Sequence, residues 1–247
     1  MDIGTLPGGG VYTPRDVISF KGALSSAIGI VVTALPDYVI PDERVSFITV
    51  PGRNGPLTQR EGTDVFNDLT LTVSCYCPEP TPENISNIAR YFRGNGRLRL
   101  PNRPGGWYEA TVMNQIPFKQ VLRGSTPRVF DVNFRCNPLF YLDEGETEIS
   151  LANGDFLVNP TGYTAHPVIE IRGSGDMSIT VGTQTVQLTG IDGGIILDGR
   201  LQEAYWDGML ENSKMSGPFP VIGEGSIPVT WTGGVTGVMV TPNWVKI

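Results

Sequence analysis

One stretch in the first third of the chain alternates between apolar and polar residues without interruption. Leu69, Leu71, Val73, Cys75 and Cys77 would face one way, and the threonine, serine and tyrosine residues between them would face the other. A period of two residues is typical of a β-strand with one buried face. Proline 78 follows at once and ends the pattern, because proline cannot donate a ladder hydrogen bond.

A second strand of the same kind ends the first half of the chain. Phe130, Val132, Phe134 and Cys136 alternate with polar and charged residues before proline 138. The two strands predict a sheet whose core face is rich in Leu, Val, Phe and Cys. The turn-forming residues 51–56 precede the first of these strands.

The composition favours an all-β fold. The 247 residues include 31 Gly and 20 Pro spread between short apolar runs, and the hydrophobic fraction of 40% is enough to fill a core. Many short strands separated by turn residues are typical of β-sandwiches and barrels. Further strands are predicted at residues 17–20, 28–32, 44–50, 97–100, 107–113, 167–173, 177–181, 186–188, 195–197, 227–231 and 238–240, with a hairpin tip at 102–106.

A single helix is predicted at about residues 82–93. Thr81 is a good N-cap, proline 82 suits the first helical position, and Gly94 suits the end. Ile85, Ile88, Ala89 and Phe92 recur at helical spacing, which predicts that this face packs on the sheet.

Charge divides the chain into two parts. Residues 1–141 hold 14 basic and 12 acidic side chains, whereas residues 142–247 hold 4 basic and 13 acidic ones. The difference predicts two domains, 1–140 and 141–247, joined by an acidic, turn-rich linker at 137–148. Residues 1–16 are expected to form a loose arm. The acidic second domain is poorly suited to binding nucleic acid.

The residues that usually carry catalysis or bind metals are scarce. His166 is the only histidine, and no motif supports a catalytic centre around it. The Cys75–Cys77 spacing does not match a zinc site, and three cysteines without a disulfide framework fit a protein made in a reducing cytoplasm. We therefore expect no enzyme activity, metal or cofactor. No signal peptide or membrane span is expected either.

Two groups of residues remain as candidates for binding. Tyr205 and Trp206 lie beside the acids Asp198, Glu203 and Asp207, a combination that could contact a sugar or, as a carboxylate pair, cleave one. These residues could equally belong to turns and to the core.

The second group is an arginine cluster: Arg90, Arg93, Arg97, Arg99 and Arg103. It could contact a protein partner or a phosphate backbone, or form a solvated, salt-bridged face.

The ordered motifs resemble those of the distal tail protein (Dit) family of long-tailed, non-contractile bacteriophages. The resemblance covers nearly the whole chain. It rests on the 51–55 turn, the helix after residue 78, and the segments 134–138, 159–162, 167–175, 215–220 and 231–233.

The resemblance implies a fold, a role and a set of partners. The fold would be an N-terminal β-barrel-like (split-barrel) domain with one helix and a C-terminal galectin-like β-sandwich. The role would be a structural hub at the virion tail tip, a hexameric ring with a channel through which DNA passes. The tail tube protein, the tail-associated lysin, tail fibre or baseplate proteins, and the tape measure protein would be its partners. The alternative function is a carbohydrate-binding module for host adhesion.

Overall fold

The computed structural model describes residues 17–62, 64–124 and 126–247. The loose arm predicted at residues 1–16 lies outside them. The described chain is built from β-strands with one α-helix, as the sequence predicts. It divides into two compact units, one ending at Phe140 and the other spanning Tyr141–Lys246.

In its described residues, the first unit contains the α-helix and ten strands. The helix, α1, spans Pro82–Tyr91, and a short 3-10 turn spans Ser25–Ile28. The strands are β1 Ser19–Phe20, β2 Ala23–Leu24, β3 Val31–Ala34, β4 Val45–Ile48, β5 Leu57–Arg60, β6 Leu69–Cys77, β7 Asn95–Leu100, β8 Arg103–Val112, β9 Lys119–Gln120 and β10 Arg128–Leu142.

The alternating strand predicted at 69–77 is β6, which lies between β10 and the edge strand β3 in the first sheet. The strand order is β2-β1-β7-β8-β10-β6-β3, and β9 pairs with β10. Strands β6 and β10 pair antiparallel over nine consecutive residues, from Arg128 opposite Cys77 to Cys136 opposite Leu69. The predicted apolar face of both strands is buried, which confirms the period-two prediction.

Helix α1 covers this buried face. The Thr81 hydroxyl accepts a hydrogen bond from the Asn84 amide, which confirms the predicted N-cap. The rings of Phe20, Tyr91, Phe92 and Phe134 pack together at centroid distances of 4.8–6.1 Å. The predicted helix face is buried at Ile88 and Phe92, half-buried at Ile85 and exposed at Ala89, and Tyr91 is buried in addition to the predicted residues.

Three local predictions in the first unit are corrected. Residues 25–28 form a 3-10 turn, and the strand begins only at Val31, because Gly29 takes a left-handed conformation between them. The hairpin tip lies at residues 101–102, since Leu100 pairs with Arg103 and the glycines at 105–106 lie within β8. The predicted linker from residue 137 is still strand up to Leu142, because Phe140 and Tyr141 are buried.

The second unit is built from ten strands and two short 3-10 turns, Asp143–Glu146 and Asn212–Lys214. The strands are β11 Ile149–Leu151, β12 Phe156–Asn159, β13 Val168–Val181, β14 Gln184–Ile191, β15 Gly194–Asp198, β16 Glu203–Trp206, β17 Met209–Leu210, β18 Met215–Ser216, β19 Gly225–Thr241 and β20 Val245–Lys246.

Two long strands, β13 and β19, run through this unit side by side. The sheet order is β11-β19-β13-β15-β16-β17, with β12 on β19 and with β14 bridging β13 and β18. The sequence predicts two strands, 167–173 and 177–181, in place of β13, and two strands, 227–231 and 238–240, in place of β19. In the structure, β13 and β19 are each one continuous strand. The register shifts near Gly173 and Gly233, so the glycines bend the ladder without ending it. The bend curls the sheet around a core that includes Ile169, Ile179 and Val240.

The three cysteines are free and buried in the first sheet. Burial raises the pKa of the Cys75 and Cys136 thiols to about 12, with a smaller contribution from a nearby aspartate in each case. Burial also raises the pKa of Cys77, which is the last residue of β6. A cysteine reacts as a nucleophile only as the thiolate, and a raised pKa keeps these three side chains in the thiol form. They are therefore packing groups of the core rather than reactive groups.

The bend in β19 gives a stability prediction with an internal control. A Cβ at Gly234 would lie 2.1 Å from the Ser174 carbonyl oxygen, whereas a Cβ at Gly237 on the same strand meets nothing within 4 Å. Gly234→Ala should lower the free energy of unfolding by about 1–3 kcal/mol through overpacking. Gly237→Ala should stay within about 0.5 kcal/mol of wild type. Equal unfolding midpoints in urea for the two variants would contradict the close backbone approach.

The buried thiols give a second prediction. At pH 8, a pKa of about 12 leaves roughly one thiol in ten thousand as thiolate. A chromogenic disulfide reagent should therefore release almost no colour from the native protein and three equivalents in denaturant. Cys77 should be the first to react on partial destabilisation, since strand ends fray before strand centres. Rapid titration of Cys75 or Cys136 in the native state would show that the core face is open.

Candidate functional site

The five arginines of the sequence cluster lie in three different places. Arg90 is in the last turn of α1, and Arg93 follows its end; both are exposed. The Lys21 ammonium donates to the backbone carbonyls of both, at 3.5 and 2.6 Å, and so caps the negative end of the helix dipole. These two arginines form one small basic surface at the helix end.

Arg97 and Arg99 project from the same side of β7, since they are two residues apart on one strand. The Arg97 guanidinium lies 4.2 Å from the centre of the Trp107 ring, and Arg97 pairs across the ladder with Glu109. The Arg99 guanidinium donates to the Gly106 carbonyl at 3.4 Å. Arg97 covers the Trp107 ring, and Arg99 adds a second positive charge on the same side of β7.

Arg103 lies apart from that pair, among aromatic rings. Its guanidinium is 4.4 Å from the centre of the Phe140 ring, stacks near Tyr108 and hydrogen-bonds the Tyr108 hydroxyl. Burial raises the pKa of Tyr108, against the opposing effect of the Arg103 charge. Arg103 is therefore a half-buried packing residue, and the five arginines do not form one patch.

Tyr205 and Trp206 are neighbours on β16, so their side chains leave opposite faces of the sheet. The Trp206 ring lies against Gly194, where a Cβ would come within 2.5 Å of it. Burial raises the pKa of Tyr205, and the charges of Asp198 and Glu203 add to this effect. The two aromatic rings do not form a common platform on which a sugar could stack.

The three candidate acids lie near the two ends of β16. The Asp198 carboxylate accepts hydrogen bonds at 2.9 Å from the amides of Arg200 and Leu201, and so fixes the turn after β15. Glu203 is its partner across the ladder. Asp207 and Gly208 both have positive φ and form the turn between β16 and β17, at the other end of β16. The ladder therefore places Asp198 beside Glu203, whereas Asp207 lies at the other end of β16 from both.

His166 is half-buried. Burial lowers its pKa, and the charge of Arg200 lowers it further. The backbone carbonyl oxygen of His166 accepts a hydrogen bond from the side-chain amide of Asn243 at 3.0 Å. Among residues 17–62, 64–124 and 126–247, no group of three His, Cys, Asp or Glu side chains could hold a metal ion. No helix in this part of the chain is long and apolar enough to cross a membrane.

The surface feature that sequence reasoning missed is the hairpin of β4 and β5. The two strands form a sheet of their own, separate from the main sheet of the unit. Phe47, Ile48 and Leu57 are exposed on it, and Tyr38 and Ile40 are exposed on the segment that leads to it. The residue pattern at 45–48 and 57–60 is compatible with strands, but alternation alone does not show whether a strand packs against a core.

Charged residues line an open cleft at the root of this hairpin. Glu43, Arg44, Arg60 and Asp64 are the charged residues among its lining. Arg60 forms an ion pair with Glu43 at 3.1 Å, and Arg44 pairs with Glu61 at 3.8 Å. These exposed pairs orient the root more than they stabilise it, because surface ion pairs contribute little.

Comparisons with known proteins place the fold among phage tail proteins. No protein-family model matches the chain, and no curated protein matches it. Among solved structures, the chain is similar to the crystal structure of SPP1 Dit (gp 19.1), described as a paradigm of hub adsorption apparatus in phages that infect Gram-positive bacteria. The TM-score is 0.71 at 10% identity, and the match covers 91% of this chain and 96% of that one.

Two further solved structures, both of a phage baseplate, are similar to the chain. Chains of the phage p2 baseplate in its activated conformation, with Sr and with Ca, match at a TM-score of 0.51 with 6% and 7% identity. Each match covers 86% of this chain and 89% of the other. The SPP1 match extends over both units, which confirms at the level of the fold the resemblance seen in the sequence motifs. The chain has the fold of the phage distal tail (Dit) proteins.

Proposed function

We propose that this chain is a structural hub subunit of a phage tail tip, located in the virion, rather than an enzyme. The observation that carries the proposal is the match to SPP1 Dit, which spans almost the full length of both chains. A fold shared over both units favours a shared architectural role more than a match to one domain would. The p2 chains that share the fold belong to a phage baseplate, which supports a place for this chain in the phage tail.

The proposed assembly is a hexameric ring that joins the tail tube to the tail-associated lysin or baseplate and leaves a channel for DNA. A heterologous contact that closes after a fixed rotation generates such a ring. The charge distribution supports a defined orientation, since the first part of the chain is slightly basic and the second carries 13 acidic side chains against 4 basic ones. We expect synthesis in the host cytoplasm, and the unpaired buried cysteines are compatible with it.

Imaging of the purified protein tests the ring directly. Negative-stain micrographs at high protein concentration, together with the solution mass, should show closed rings of six copies with an open centre. Rings of another copy number would contradict the hexamer. Monomers by both measurements would argue against self-assembly of this chain.

The arginine pair of β7, in which Arg97 is exposed and Arg99 is half-buried, gives a narrower prediction. If Arg97 and Arg99 contact a subunit or the tail tube, Arg97→Gln with Arg99→Gln should weaken assembly at least tenfold while the far-ultraviolet spectrum stays unchanged. Glutamine avoids placing a new carboxylate opposite Glu109. Lys119→Gln with Arg123→Gln removes the same charge from exposed residues elsewhere in the unit and serves as the control. Equal weakening of both variants would indicate only a general charge effect.

A further inference from the structure

We propose that Asn54 is a site of spontaneous covalent modification, because the fold leaves it open while protecting the other two Asn-Gly pairs of the chain. The side-chain amide of Asn54 is lost, and aspartate or isoaspartate takes its place. Asn54 and Gly55 lie in the turn between β4 and β5. The reaction requires only the chain and water, so it goes beyond the proposed function and does not depend on it.

The Asn-Gly sequence supplies the chemistry. The backbone nitrogen of Gly55 attacks Cγ of Asn54, the new C–N bond closes a succinimide ring, and the bond from Cγ to the side-chain nitrogen breaks. Ammonia leaves with the proton that the Gly55 nitrogen gives up. Water then adds to one of the two ring carbonyl carbons and opens the ring, which gives aspartate or isoaspartate. Glycine favours the attack, since no side chain hinders its nitrogen or restricts its backbone.

The turn that holds Asn54 is exposed and open. Every residue from Pro51 to Glu61 is exposed. Gly55 has a φ of 77°, and a Cβ built there would meet nothing within 4 Å. In the described part of the chain, neither the Asn54 side chain nor the Gly55 amide has a hydrogen-bond partner. The turn therefore changes conformation at low free-energy cost, which lets the Gly55 nitrogen approach Cγ of Asn54.

The second Asn-Gly pair, Asn153 and Gly154, is also exposed, but hydrogen bonds hold both reacting groups. The Asn153 side chain donates to the Trp231 carbonyl at 2.9 Å and accepts from the Trp231 amide at 3.0 Å. The Gly154 amide donates to the Val229 carbonyl at 2.9 Å. The nitrogen of Gly154 and the Cγ of Asn153 are thus fixed by different contacts, and these must break before the ring can close.

The third pair, Asn95 and Gly96, forms the start of β7. Asn95 lies opposite Thr111 and Gly96 opposite Ala110 in the ladder with β8. A Cβ at Gly96 would clash with the Lys21 side chain, so this side chain packs directly on the Gly96 backbone. The strand keeps the backbone extended, and ring closure requires that the strand end first leave the ladder.

The modification would change the charge and the backbone of the turn. Arg53 is the only charged residue in 51–56, so a new carboxylate at position 54 makes this segment neutral. The net charge of the chain becomes one unit more negative than −7. Isoaspartate also adds its Cβ to the main chain. The turn lies beyond the last ladder pair, Ile48 with Leu57, so the hairpin itself persists. The fraction of modified chains therefore rises with the age of the protein.

The deciding experiment follows all three Asn-Gly pairs in one sample of the full chain. The protein is kept in mildly alkaline buffer for several weeks and then cut after glutamate under mildly acidic conditions, where the reaction is slow. Cleavage at Glu43 and Glu61 releases Asn54 in one peptide. Tandem mass spectrometry then assigns the mass gain from replacement of NH2 by OH to a residue. Asn54 should be modified about tenfold faster than Asn95 or Asn153, because ordinary hydrogen bonds hold the other two pairs.

Two controls separate the effect of the fold from that of the local sequence. In guanidinium chloride all three pairs are exposed, so their rates should converge. Asn54→Gln keeps an amide at this position, but its longer side chain would have to close a larger ring. Protein isoaspartate methyltransferase, which methylates isoaspartate but not aspartate, should label the aged wild type and leave the aged variant almost unlabelled. The variant should keep the wild-type unfolding midpoint, because residue 54 is exposed.

Three results would overturn the inference. The first is an unmodified Asn54 at the end of the incubation. The second is modification of Asn95 or Asn153 at the same rate as Asn54 in the native chain. The third is a rate difference that persists unchanged in denaturant, since the local sequence rather than the fold would then cause it. Each of these results leaves the hub proposal standing, because ring formation is measured separately.

Discussion

The antiparallel pairing of β6 with β10 is the interaction on which the first unit depends. Nine consecutive residue pairs fix the register, so every second side chain of both strands enters the core together. A slip of one residue would turn Phe130, Val132 and Phe134 into solvent and would leave α1 without a surface to cover. The opposite face stays polar, with Thr72 bonded to Asn133 and Ser74 to Asp131 at 3.0 and 2.6 Å. The same ladder therefore separates the buried apolar face of the sheet from its polar face.

Sequence reasoning succeeded where structure is determined by residues close in the chain. The alternation in β6 and the Thr81 cap are local signals, and both are confirmed. Sequence reasoning predicted too many strands in the region of β13 and β19, because glycines can either end a strand or bend it. Gly173 and Gly234 approach each other across the ladder, and with this long-range contact the strands bend and continue rather than end. The strand order of each sheet is non-local in the same way and could not be obtained from the sequence pattern.

The candidate site residues also show that closeness in the sequence differs from closeness on the folded sheet. Arg97, Arg99 and Arg103 are close in the sequence, but the hairpin between them places the third among the rings of Tyr108 and Phe140. Tyr205 and Trp206 are adjacent, and adjacency on a strand means opposite faces. Hence a cluster of like residues in a β-protein indicates a shared surface only when its members are two apart on one strand or paired across strands. Arg97 and Arg99 satisfy that condition, which is why they remain the better candidates for a contact.

The hairpin of β4 and β5 illustrates why composition alone does not distinguish a surface strand from a core strand. Phe47 and Ile48 are of the same residue types as the side chains that fill the core, yet both are exposed. Among the described residues, β4 and β5 pair only with each other, so they add no surface to the main sheet of the unit. Whether an apolar strand is buried therefore depends on strand pairing between distant segments, as the strand order of each sheet does.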